Sequence, residues 1–185
     1  DLIRYQIDFQ GRFENWNGNS QCLLSVDGTD CKVKETDPLD KGMFSWKFRS
    51  AALKYEVAFG IFSGKIAWID GPHKGAVSDR EIFIGGLQGR LDQWEYVETD
   101  LGYEGVGKMK DKEMYLSRID GHQKSKVRAR HETVNSRFKA YKCLSTTFRH
   151  HYDLHELVFY AIGVLVNLEL AETPIWEVDY SVVYP

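Results

Sequence analysis

With 185 residues, 43% hydrophobic and 28% charged, the chain has the make-up of a soluble globular domain and the length to bury a sizeable core. Its net charge of −3 excludes a uniformly basic nucleic-acid binder, and no signal peptide or membrane anchor is legible. Cys22, Cys31 and Cys143 are odd in number and lack ligand spacing, which argues against a zinc site or disulfide framework and for a reducing intracellular compartment.

Residues 1–20 are polar and aromatic and end on the turn signal Asn17-Gly18-Asn19. They read as a lead-in from an upstream region, as does the opening on Asp1. The apolar run Cys22-Leu23-Leu24-Ser25-Val26 predicts a buried strand ending at an Asp27-Gly28 turn, with a second strand from Asp30 to Glu35. Trp46, Phe48, Tyr55, Val57, Phe59 and Ile61 predict a strand pair broken near Ser50-Ala51. Ser63-Gly64 marks a tight turn before a strand from Lys65 to Ile69, which Gly71-Pro72 ends. From Ser78 the period changes, and Ile82, Phe83, Leu87 and Leu91 predict a helix capped by Ser78 or Asp79.

Trp94 to Thr99 predicts another strand, closed by Asp100-Leu101-Gly102-Tyr103, and the lysine-rich stretch 107–125 predicts a loop. Lys126 to Leu144 predicts a helix with Val127, Val134 and Phe138 inward. A last helix is expected from about Leu154 to Glu172. Its apolar stretch from Leu157 to Leu170 is too short for a bilayer and suits burial in protein. Ile175 to Val183 predicts a final strand. The order implies an α/β fold, a mixed sheet flanked by helices, with Asp27 and Asp100 at strand ends that converge on one sheet edge.

Charge is unevenly distributed. Between Val106 and His150 stand 12 Lys/Arg against 4 Asp/Glu, a balance of +8, while the rest of the chain carries 12 against 23, or −11. An acidic body with one basic surface suits a polyanionic partner. Within the basic segment Arg128, Glu132 and Lys139 project within about 60° of one another on a helix, with Asn135 at the edge of that face. A solvated helix with i,i+4 pairing would give the same spacing. Three carboxylates on separate elements suit phosphodiester chemistry. Two divalent ions ~3.5–4 Å apart can serve both the attacking and the departing oxygen, and hard Mg²⁺ or Mn²⁺ prefers Asp and Glu to His or Cys.

Val26-Asp27-Gly28-Thr29, Thr99-Asp100-Leu101-Gly102-Tyr103 and Arg130-His131-Glu132-Thr133-Val134-Asn135 resemble the three acidic blocks of DDE transposases, nearest the Harbinger and related insertion-sequence groups. The Arg128-x3-Glu132-x6-Lys139 spacing is similar to the signature around their third acid, with Ser125 at its Tyr position. The stretch from Gly71-Pro72 to Asp79 resembles the family's glycine-rich segment before its first helix. The resemblance covers residues 21–172 and leaves 173–185 as a C-terminal strand or extension.

The resemblance implies an RNase H-like fold and a catalytic set of Asp27, Asp100 and Glu132. Asp27 would bridge two Mg²⁺ or Mn²⁺ ions, and Asp100 and Glu132 would each ligate one. The implied reaction is cleavage and strand transfer of double-stranded DNA at transposon ends, with Arg128, Lys139, Asn135, Lys124 and Lys126 contacting DNA. A homo-oligomer is implied, with ends recognised by an upstream DNA-binding domain or partner protein. So is the absence of a membrane, and residence in the nucleus of a eukaryote or the cytoplasm of a bacterium. Two rival readings stay open: a domesticated transposase that binds DNA or protein without cutting, and a host RNase H-like nuclease.

Other polar residues have weaker claims. Asp30 reads as an exposed turn residue before it reads as a ligand. His150, His151 and His155 cluster, yet the acid of a zinc-hydrolase motif is missing, so capping or surface roles are expected. His131, beside Glu132, should project about 100° away from it. Trp46, Lys47 and Arg49 lie within possible reach of DNA, and Trp46 is expected in the core.

Overall fold

The computed structural model describes residues 6–18, 20–100, 103, 113–114 and 121–176, with backbone alone at 113–114 and 121–128. The apolar run at Cys22 does not stop at Asp27-Gly28. It continues as an 11-residue strand, β1 (Cys22–Lys32), paired antiparallel with β3 (Ser50–Gly60) from Leu24↔Gly60 to Lys32↔Ala52. Gly28 serves close packing in place of the expected turn. The Asp79 carboxylate, held by Lys54 Nζ at 3.2 Å, occupies the space a Cβ would need there. Asp27 is therefore a mid-strand residue, not a strand-end one.

The break in the aromatic strand pair also differs from expectation. β2 (Phe44–Ser45) pairs with Ser50 and Ala51, and the turn between them is Trp46-Lys47-Phe48-Arg49. β4 (Ile66–Lys74) runs on through Gly71-Pro72, which an edge strand tolerates because one row of its N–H groups needs no partner. β5 (Tyr96–Glu98) lies parallel to β1, with Leu24↔Val97 and Ser25↔Glu98, and β6 (Glu113–Met114) lies parallel to β5. The sheet order is β2-β3-β1-β5-β6, with β4 also on β3. The domain is a mixed-sheet α/β fold, as the element order predicts.

Helices cover both faces. α1 (Asp79–Gly85) starts on a capping box between Ser78 and Glu81 and stops at Gly86; Leu87 belongs instead to a 3₁₀ turn, Leu87–Arg90. Phe83, Leu87 and Leu91 pack with Leu24, Val26 and Val97 on that side. α2 (Gly121–Ala140), α3 (Lys142–Ser145) and α4 (Tyr152–Glu172) cover the other, where Val134 and Phe138 meet Tyr55, Val57 and Phe159. Val127 has no described side chain.

α4 is long and apolar enough to cross a membrane by length and composition. Its inward face nonetheless packs on the sheet through Phe159, Ile162, Val166 and Leu170, and Asn167 bonds both backbone groups of Ile66, at 2.7 and 3.1 Å. Gly163 allows this approach, since a Cβ there would stand 2.8 Å from Ile69 Cδ1.

Residues 6–18 are more than a lead-in. Arg12 is buried, bonds Glu95 through Nε at 2.7 Å and lies over the rings of Phe9 and Phe13. The expected strand from Ile175 to Val183 falls largely outside the described residues, as does most of 107–120.

Candidate active site

The pairing of β1 with β5 runs as far as Ser25. Asp27 lies two residues past Ser25, and Asp100 two residues past Ser25's partner Glu98. The parallel register thus delivers the two acids to one level of the sheet, where β5 stops. Glu132 reaches the same place from α2. All three line one cavity of about 130 Å³, together with Ser25, Glu98 and His131.

Three elements distant in sequence therefore bring the three predicted acids to one cavity. Among the described residues, however, no three His, Cys, Asp or Glu side chains stand where they could ligate one ion together. The acids share a cavity without forming a closed ligand cage.

Electrostatics single out Asp27. Burial pushes its carboxyl up to about 6, the Asp100 charge pushes in the same direction, and the Gly28 N–H and the Lys47 charge push back. The Gly28 amide donates to Asp27 Oδ1 at 2.8 Å, and Asn135 Nδ2 donates to Asp27 Oδ2 at 2.9 Å. Hard oxygen donors gathered around an acid that resists ionisation suit a divalent cation, which would offset the clustered negative charge.

Asn135 belongs to a ladder between α2 and β1. Nδ1 of His131 lies 3.0 Å from Ser25 Oγ, and Lys139 Nζ donates to Cys31 Sγ at 3.1 Å, Asp30 O at 2.5 Å and Leu144 O at 3.3 Å. Helix residues i, i+4 and i+8 thus meet strand residues 25, 27 and 31, all on one face of β1. Four helical residues rise ~6 Å and two strand residues ~6.6 Å, so the first step matches, and the long Lys139 side chain spans the four-residue second step.

The polar helix face seated on the strand is His131–Asn135–Lys139, beside the inward Val134 and Phe138, while Glu132 faces the cavity. Lys139 directs its three N–H donors to acceptors on the protein itself. Asn135, also expected at DNA, bonds a site carboxylate instead. Glu132 is exposed at the cavity. The side chains of Lys124, Lys126 and Arg128 lie outside the described residues.

Glu98, Ser25 and His131 are site-lining residues that the sequence reading missed. His131 is 4% exposed, its ring is held neutral by burial with a value near 4, and Nε2 has no hydrogen-bond partner among the described residues. The 100° projection that seemed to remove it from the site instead aims it at β1. Strand alternation puts Ser25 on the face of Asp27, and the i,i+4 spacing of His131, Asn135 and Lys139 was equally available.

Three lesser expectations also change. Asp30 is buried and accepts from Ser45 Oγ at 2.5 Å; Trp46 is 83% exposed; and His155 is fully buried, with Nδ1 2.8 Å from the Tyr55 hydroxyl. His151 does cap α4, accepting from the Asp153 amide at 3.5 Å. Comparison with known family models, curated proteins and solved structures gives no match.

Proposed function

We propose that the chain is the catalytic domain of a DDE-type transposase or endonuclease, RNase H-like in fold, that cuts DNA at transposon ends and joins the freed end to a target. The observation that carries this reading is the shared cavity of Asp27, Asp100 and Glu132, drawn from β1, the end of β5 and α2. The mixed sheet flanked by helices is the framework such a domain requires.

Asp27, Asp100 and Glu132 would hold two Mg²⁺ or Mn²⁺ ions, which when bound supply Lewis acidity for the attacking and departing oxygens. The chain's own part is orientation. Asn135 and the Gly28 amide fix both oxygens of Asp27, and the α2 ladder holds the helix that carries Glu132. Glu98 adds a further carboxyl group to the cavity wall. Double-stranded DNA, a second copy of the chain and an upstream recognition domain complete the proposal.

Nicking of supercoiled plasmid in Mg²⁺ or Mn²⁺ tests it. Wild type should nick, and Asp27→Asn should not, while both keep the same circular dichroism. Full nicking by the variant would remove Asp27 from the chemistry.

A further inference from the structure

Trp46 is the most exposed large hydrophobic residue in the described chain, at 83%. An indole left open to solvent presents a large, flat π surface. Its setting is rigid. Arg49 N donates to Ser45 O at 2.7 Å to close the turn, and Ser45 Oγ donates to Asp30 Oδ2, fixing β2 to β1 three residues from Asp27. The indole stands at 89° to the Phe44 ring, 5.2 Å away, and Lys32 Nζ lies 5.4 Å from the Phe48 ring centroid. Arg49 holds a left-handed φ of 53°, rare for a residue with a side chain.

Lys47 and Arg49 flank the indole, both are exposed, and neither is in an ion pair among the described residues.

We propose that the Trp46–Arg49 turn is a nucleic-acid contact in which the Trp46 indole stacks on an unpaired base and Lys47 and Arg49 take the flanking phosphates. An exposed ring between two cations is the arrangement that single strands favour, because every base offers a π face and every linkage a charge. The turn is tied to β1 three residues past Asp27, so it would grip a strand that runs on toward the acids. The proposal rests on the nucleic-acid reading of the cavity for its place in a reaction, but its own test needs no cleavage.

The test is fluorescence anisotropy of fluorescein-labelled single-stranded and duplex oligonucleotides of mixed sequence, titrated with the full chain in the absence of divalent ions. Trp46→Ala should weaken single-strand binding about tenfold or more, and Trp46→Phe should recover most of the loss. Lys47→Ala and Arg49→Ala should each lower the salt dependence of binding, with a slope change of about 0.7 on logarithmic axes.

Unchanged affinity in Trp46→Ala, equal weakness in Trp46→Phe, or no binding by wild type would overturn the proposal. A turn that instead meets a protein partner would give the last of these. The nicking assay separates the two claims. Asp27-dependent nicking with an inert Trp46 removes the turn alone, and Trp46-dependent binding without nicking removes the active-site reading alone.

Discussion

Asn135 on α2 holds Asp27 on β1 through a 2.9 Å hydrogen bond, although the two residues are 108 positions apart. The helix that carries the third acid therefore also orients the first. A hydrogen bond donated to a carboxylate favours its ionised form, so Asn135→Ala should raise the Asp27 value above its present level of about 6. If the Asp27 carboxylate is needed, nicking falls as pH drops through 6, and the variant's acid limb moves to higher pH. An unmoved limb, with activity lost uniformly, would mean that Asn135 acts elsewhere.

Asp27 should also cost stability. Its folded value lies above the ordinary aspartate value of 3.8, so its protonated form favours folding, and that contribution is lost as pH rises through 6. Asp27→Asn removes the penalty. Denaturant unfolding at pH 7.5 should show the variant more stable by up to about 2 kcal/mol, with the gain vanishing near pH 4. A variant that is both inactive and less stable would contradict this assignment.

Glu56 is a second acid out of place. It is 1% exposed on β3, and burial, with the charges of Asp70 and Asp79, pushes its carboxyl up to about 8. The sign again follows from a raised folded value: the stabilising protonated form is present at low pH and is lost as pH rises through 8. Wild-type thermal stability should therefore decline from about pH 4.5 to about 8 and level off above that. Glu56→Gln, neutral throughout, should flatten that decline.

Lys139 ties α2 to β1 and α3 through three acceptors. Hydrogen bonds from charged donors contribute ~1.5–3 kcal/mol each when lost one at a time. Lys139→Met should therefore lower stability by about 2 kcal/mol and leave the salt dependence of DNA binding unchanged. A reduced salt slope with intact stability would restore the phosphate role.

The segment before β1 carries a comparable tie. Arg12 is 2% exposed and Glu95 is 1% exposed, and they meet at 2.7 Å. Removing one partner of a buried pair leaves the other uncompensated, a loss of about 3–5 kcal/mol. Arg12→Met should show that loss in urea denaturation, and Arg12→Met with Glu95→Leu should recover most of it.

Sequence periodicity located most elements because apolar alternation and helical spacing are local signals. It placed α1, α4 and β5 to within a few residues, and it identified three acids that do meet at one cavity. It erred where a residue's reason is tertiary. Gly28 looked like a turn because the carboxylate that fills its missing Cβ belongs to Asp79, 51 residues away. Trp46 looked like core because its exposure depends on a turn at 46–49 that the neighbouring aromatic residues obscured. The inward Val134 and Phe138 of α2 were legible from their apolar character, whereas the polar ladder of His131 and Asn135 beside them was not, because its partners lie on β1.

The match between α2 and β1 has a consequence for chain length. Residue identities between His131 and Lys139 can vary wherever they point outward, but their number cannot. One residue gained or lost inside that window turns everything beyond it by 100° and parts at least one of the three pairs from its strand. A scan of single-residue insertions should therefore find a sharply bounded intolerant interval from 131 to 139. Within it, a neutral alanine insertion harms the protein more than most substitutions would.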